Sequence, residues 1–201
     1  MVTDSGNGTV FALWLSLRAM QIQAAESDDN GATFGAHAVA AGGNLYWGAT
    51  LNGGVLASTV PMARYNWVTG RVCLVYSANG TSGKDVYYTY FPCGTDCNGY
   101  GWLNPKIVND VQTNDQFDPA IDFNSTTGDL IIPFYDTRND TNHAGLYDEY
   151  VGYMTSDGTA MPPNVKASAW MSDPTQYTTA TGNPGFIGDY QDAWDDTYSD
   201  G

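Results

Sequence analysis

Ser27-Asp28-Asp29-Asn30-Gly31-Ala32-Thr33-Phe34 decides how the rest of this chain is read. Asp-Asn-Gly supplies a tight turn: Gly31 is free to take a positive φ, and the Asp29 carboxylate can accept from backbone N–H groups ahead of it. Thr33 and Phe34 favour re-entry into a strand, so the stretch predicts a hairpin turn closed by an aromatic anchor. Strand candidates lie on both sides. Residues 9–16 (TVFALWLS) form an apolar run suited to a strand buried on both faces, residues 18–25 follow as a second strand, and residues 36–40 make a third after the turn.

The same order returns twice. Residues 61–66 lead to a turn at Thr69-Gly70, then RVCLVY at 71–76, a polar loop at 77–84, DVYYTYF at 85–91 and a short strand at 105–108. A further round runs from DPAIDF at 118–123 through a turn ending at Gly128 to DLIIPFY at 129–135. A loop over 136–147 follows, then a strand over 150–155, with another hairpin signal at Asp157-Gly158. Strand, glycine turn, buried strand, polar loop and tyrosine-rich strand thus recur with a period of roughly sixty residues, the pattern of propeller blades. Residues 42–59, with Gly42-Gly43 and Gly53-Gly54, carry too little pattern for an element and read as a loop.

Composition agrees with an all-β chain. The acid is almost all Asp, which suits turns, with Glu only at positions 26 and 149; 23 Gly, 14 Tyr and 6 Trp point the same way. The 201 residues with 42% hydrophobic content suffice for a single domain with a real core. A net charge of -15 argues against nucleic acid or an anionic membrane as partner and favours cations or neutral ligands. No apolar run has the length of a transmembrane helix, and no signal peptide pattern opens the chain. The aromatic, Asp- and Gly-rich composition nevertheless suggests a secreted, bacterial-type parent. Cys93 and Cys97 are spaced to close a small disulfide loop, whereas Cys73 lies in an apolar run and reads as a buried thiol.

The two ends read as halves of one unit. Residues 188–194 (GDYQDAW) look like an inner strand running into a turn at 199–201, and residues 2–8 look like the remainder of such a turn. The expectation is one domain over 1–201 with three four-stranded blades, one of them split between the termini. Three blades are too few to close a ring, so a two-fold homodimer of six blades is expected, each C-terminal strand completing the partner's first blade.

The opening stretch resembles the Asp-box of sialidase-like β-propellers, S-x-D-x-G-x-T-W, with Phe34 at the Trp position. DQFDP at 115–119, FYDTRND at 134–140 and GFIGDY at 185–190 are similar to stretches of bacterial BNR-repeat proteins of that family. The resemblance implies a box between the third and fourth strands of a blade, away from the active site. It also implies an active face made of the loops from strand 2 to 3 and from strand 4 to the next blade. For a sialidase it implies three substrate-binding arginines, a Tyr nucleophile assisted by Glu, and an Asp acid/base. The chain has Arg18, Arg64, Arg71 and Arg138, and none stands in an Arg-Ile-Pro motif.

The loops assigned to the active face carry Asp110, Asp115, Asp118, Asp136, Asp140, His143, Asp148 and Asp189, with Asp115, Asp118 and Asp189 nearest the axis. Converging carboxylates repel, so they protonate or share a cation. Asp115, Asp118, Asp189, Asp140 and His143 form the expected ligand set for a divalent metal: Ca²⁺ or Mg²⁺ for the oxygen donors, Zn²⁺ or Mn²⁺ with the histidine. Asp118, Asp189 and Asp136 are the expected catalytic carboxylates, with Arg138 steadying an anionic leaving group. The leading expectation is metal-assisted hydrolysis of phosphate or related esters. The alternatives are a sialidase-like glycoside hydrolase working with two carboxylates, and a non-catalytic glycan- or protein-binding propeller contacting its ligand through Tyr46, Trp47 and Tyr177.

Overall fold

The computed structural model describes residues 2–4, 8–93, 101–156, 158, 163–176, 187 and 191–193. Among them the chain is all-β, with two 3-10 turns, Asn52–Gly54 and Pro174–Gln176. The first sheet is an antiparallel meander of β1 (Val2–Asp4), β2 (Val10–Ser16), β3 (Gln21–Ser27) and β4 (Ala38–Gly42). A small hairpin follows, β5 (Ala49–Thr50) with β6 (Leu56–Ala57). The second sheet holds β7 (Met62–Asn66), β8 (Arg71–Asn79), β9 (Lys84–Pro92) and β10 (Lys106–Ile107). The third holds β11 (Gln116–Phe117), β12 (Asp122–Phe123), β13 (Leu130–Asp136), β14 (Asp148–Met154) and β15 (Val165–Lys166). Both β11 and β12 pair with β13, as two pieces of one first strand.

Period-two alternation explains how the sheets stack. In β8, Val72, Leu74, Tyr76 and Ala78 turn to the first sheet and meet Phe11, Leu13, Ile22 and Ala24. The alternate residues Cys73 and Val75 turn to the third sheet and meet Ile121, Ile132, Phe134 and Met154. The central sheet is therefore buried on both faces, which is why its strands read as unbroken apolar runs. A third cluster packs Tyr46, Leu51, Val55 and Ala57 of residues 43–61 against Phe117 and Tyr147.

The Ser27–Phe34 turn forms from its own polar groups. Ser27 Oγ donates to Asp29 Oδ1 at 2.8 Å and accepts from Gly31 N at 2.9 Å. Thr33 donates its N–H to Asp29 Oδ1 at 2.8 Å and its hydroxyl to Oδ2 at 2.7 Å. Gly31 takes φ +84° as expected. Phe34 is exposed, so hydrogen bonds and not an aromatic anchor close the turn.

Four expectations need revision. Residues 17–20 form a turn with Met20 at φ +49°, so the second strand begins at Gln21 and not at Arg18. Residues 42–59 are organised, because dispersed apolar side chains reach the third cluster. The strand expected over 118–123 is interrupted where Asp118 takes φ +46° ahead of Pro119. The expected turn remainder at 2–8 contains β1, which pairs with β2 as the first strand of its own sheet. That position is filled within the chain, so no strand from a partner is required there. Residues 188–190 and 194–201 lie outside the described residues, as does Cys97. Cys93 is disulfide-bonded, and burial pushes the free Cys73 thiol up to about 11.

Candidate functional site

The meander topology gives the stack two unlike ends. One, the turn end, carries the Ser27–Phe34 turn and the tight turns at 67–70 and 124–129. The other, the loop end, carries residues 17–20, 43–61, 80–83, 108–115, 137–147 and 167–176. All the candidate site carboxylates that the structure describes lie at or beside the loop end.

Asp115 stands at the start of β11, buried. Its Oδ1 accepts from the Lys84 backbone N–H at 3.0 Å, and its own N–H donates to Thr137 Oγ1 at 2.9 Å. Burial raises its pKa, and Lys84 offsets only part of the rise. Asp118, three residues on, is also buried in its left-handed conformation. Between the second and third sheets comes Tyr46, whose hydroxyl shares a 2.8 Å hydrogen bond with Ser77 Oγ, with Lys84 Nζ 4.8 Å from its ring centroid. Burial pushes the Tyr46 phenol far up, Ser77 pulls it back, and the charges of Asp118 and Asp115 push it up again. Both carboxylates are thus within electrostatic reach of one buried phenol.

Two exposed tryptophans lie in segments of the same end. Trp47 is 60% exposed beside Tyr46, and Trp170 is 85% exposed in residues 167–176. Tyr147 and Ser172 exchange backbone hydrogen bonds at 3.1 and 2.7 Å, tying Trp170's segment to the Phe117–Tyr147 cluster.

Asp136 and Arg138 do something else. Asp136 Oδ2 accepts from Arg138 Nε and Nη2, each at 2.7 Å, and its Oδ1 accepts from Arg138 N at 2.6 Å and Gln116 Nε2 at 3.2 Å. Arg138 also donates through Nη1 to Asp110 Oδ1 at 2.8 Å, and its guanidinium lies 4.1 Å from the Tyr150 ring centroid. Asp136 and Asp110 hold Arg138 above its ordinary pKa despite burial, so it stays cationic. Asn109 continues the network, donating to Asp85 Oδ1 at 2.7 Å and Gln116 Oε1 at 3.1 Å while accepting from Val86 N at 2.8 Å. The network stitches the second sheet to the third, and Arg138 has its donors committed there.

The remaining expected ligands also have structural partners. Asp140 Oδ2 accepts from Gly145 N at 2.7 Å, and His143 Nδ1 lies 3.3 Å from Asn52 Nδ2. Asp148 accepts from Lys166 Nζ at 2.7 Å, Ser168 Oγ at 2.9 Å and Asn139 Nδ2 at 2.8 Å; these outweigh burial and lower its pKa. Among the described residues, no three His, Cys, Asp or Glu side chains gather as a metal-holding group. Asp189 lies outside them. Tyr46 was read from sequence only as a ligand-contacting aromatic, and Lys84 and Trp170 carried no signal at all.

No protein-family model matches the sequence, and no curated protein matches it. Solved structures do match in fold. A Hadza microbial sialidase superposes with a TM-score of 0.53 at 13% identity, covering 80% of this chain and 35% of its own. An ulvan lyase of a new polysaccharide lyase family, bound to GlcA(1-4)Rha3S, superposes with a TM-score of 0.54 at 13% identity, covering 87% of this chain and 47% of its own. The chain thus shares the fold of propeller-type, glycan-active proteins and spans between a third and a half of their length.

Proposed function

We propose that the loop end is a glycan-processing site and that Asp115 and Asp118 cleave a glycosidic bond as a carboxylate pair. The observation that carries this reading is that two buried carboxylates, one on each side of the inner strand β11, both act on the buried Tyr46, at an end that also carries the exposed Trp47 and Trp170. Glycoside hydrolysis needs one carboxyl protonated and one ionised, and unequal environments provide that difference. Asp115, raised by burial, is the acid, and Asp118 is the base or nucleophile. The tryptophans supply flat apolar platforms for sugar rings, as aromatic-lined ligand sites do. The fold shared with a sialidase and an ulvan lyase supports a glycan over the phosphate ester favoured from sequence. Arg138 belongs in this reading to the scaffold that sets the position of β11. A disulfide at Cys93 suits an exported protein.

The test is a polysaccharide panel scored in parallel for new reducing ends and for the ultraviolet absorbance of unsaturated sugars. Reducing ends without that absorbance, falling about a hundredfold or more in kcat for Asp115→Asn and Asp118→Asn with unchanged circular dichroism, are expected from loss of acid–base catalysis. Unsaturated product would replace hydrolysis by elimination. Glycan binding without turnover would leave a binding propeller. Elemental analysis of unchelated protein addresses the cation separately: a stoichiometric divalent ion would restore the metal-assisted hydrolase.

A further inference from the structure

The stack of three sheets leaves exposed side chains on the outer face at each end, while residues 43–61 cover the third sheet's outer face at Phe117 and Tyr135. On the first sheet, Phe11, Leu13 and Leu15 turn inward, so Ala12, Trp14 and the cross-strand neighbour Val39 turn outward. On the third, Leu130, Ile132 and Phe134 turn inward, so Val151, Tyr153 and Val165 turn outward. Trp14 is 40% exposed, Val39 48% and Val165 66%. In a chain of net charge -15, each outward face carries exposed apolar side chains, with Gln23 and His37 beside Trp14 on the first and Asp122 beside Ile131 on the third, and each ends in a loop-end rim. Those rims have opposite sign. Arg18 lies at the loop end of the first sheet and Glu149 opens the outward face of the third; among the described residues neither makes an ion pair.

We infer that a second copy of this chain covers both faces: the outer face of the first sheet packs on the partner's third sheet, and the reverse contact forms by symmetry. A two-fold axis outside the stack, beside the inner edge of its sheets, makes both contacts at once and leaves neither face open. Arg18 of each copy then meets the Glu149 rim of the other, because both lie at the loop end. Six sheets result, within the range that closes a propeller ring. The contact is face to face, unlike the strand exchange expected from sequence, because β1 already occupies the first position of its sheet. Closure also sets the two loop ends around one axis, so each Asp115–Asp118 group gains the partner's loop end as its far wall.

Light scattering coupled to size exclusion decides it. The 201-residue chain is expected at twice 21.7 kDa. Trp14→Glu and Val151→Glu are each expected to give monomer with sheet dichroism retained. Arg18→Glu tests the rim without touching the core. It should weaken the dimer about tenfold or more at low salt, with recovery in the Arg18→Glu/Glu149→Arg double variant. A wild-type monomer overturns the inference and leaves both faces for further chain of a longer protein. A dimer indifferent to both face variants and to the charge swap overturns it equally, by locating the contact elsewhere.

Discussion

Asp29 and Asp115 are the same side chain at opposite ends of one stack, and their environments drive them in opposite directions. Asp29 sits in solvent and accepts from Thr33 and Ser27, which hold its carboxyl at about 2. Asp115 is buried at the head of an inner strand, and burial raises it although the Lys84 N–H reaches it. Hydrogen-bond donors without burial make a carboxylate that secures the fold. Burial with few donors makes one that is held at a cost and is free to exchange a proton. The turn end builds the architecture; the loop end is where chemistry is possible.

The largest expected effect lies between these extremes, at Asp136, which combines full burial with four hydrogen bonds. Asp136→Ala leaves the Arg138 guanidinium with Asp110 as its one remaining carboxylate and should cost about 3–5 kcal/mol in denaturant unfolding. Asp136→Asn keeps an acceptor for the Arg138 and Gln116 N–H groups and should cost clearly less. Equal losses for the two variants would mean that packing, not the ion pair, is what Asp136 contributes.

Asp29→Ala ranks next and breaks the comparison from the turn end. An acid whose folded pKa is depressed stabilises the fold above its unfolded value of 3.8, and that stability is lost as pH falls toward about 2. The variant should therefore melt lower than wild type at neutral pH, and the gap should close on acidification through that window. A gap independent of pH would show that Asp29 acts as a turn former without regard to charge.

This contrast also explains what could be read from sequence. The Asp29 turn was legible because every partner lies within a few residues of it: Ser27, Gly31 and Thr33. The strands of the central sheet were legible because burial on both faces writes an apolar run. The place of Asp115 at the loop end was legible, but its partner Lys84 is 31 residues away and Tyr46 comes from a Gly-rich segment without period. The partners of Arg138 were hidden for the same reason. Asp136 and Asp140 beside it suggested a site, whereas Asp110, Asn164 and Tyr150, all distant in sequence, commit it to the scaffold. The Leu17–Met20 turn contains no Gly, Pro, Asn or Asp, so nothing local announced it.

The smallest effect is the most telling. Asp115→Asn retains an oxygen acceptor for the Lys84 N–H and removes a charge that burial disfavours. For an acid whose folded pKa is raised, the folded state binds more protons than the unfolded state, so wild-type stability declines as pH rises from 3.8 through the folded value. The variant escapes that decline. It should match wild type at pH below 3.8, melt slightly higher at neutral pH, and lose turnover over the same range. A destabilised Asp115→Asn protein at neutral pH would mean that the carboxylate is tied down as Asp29 is, and would remove it from the acid role. A stabilised but inactive protein would show a side chain retained at the expense of the fold, the usual relation between stability and an active site.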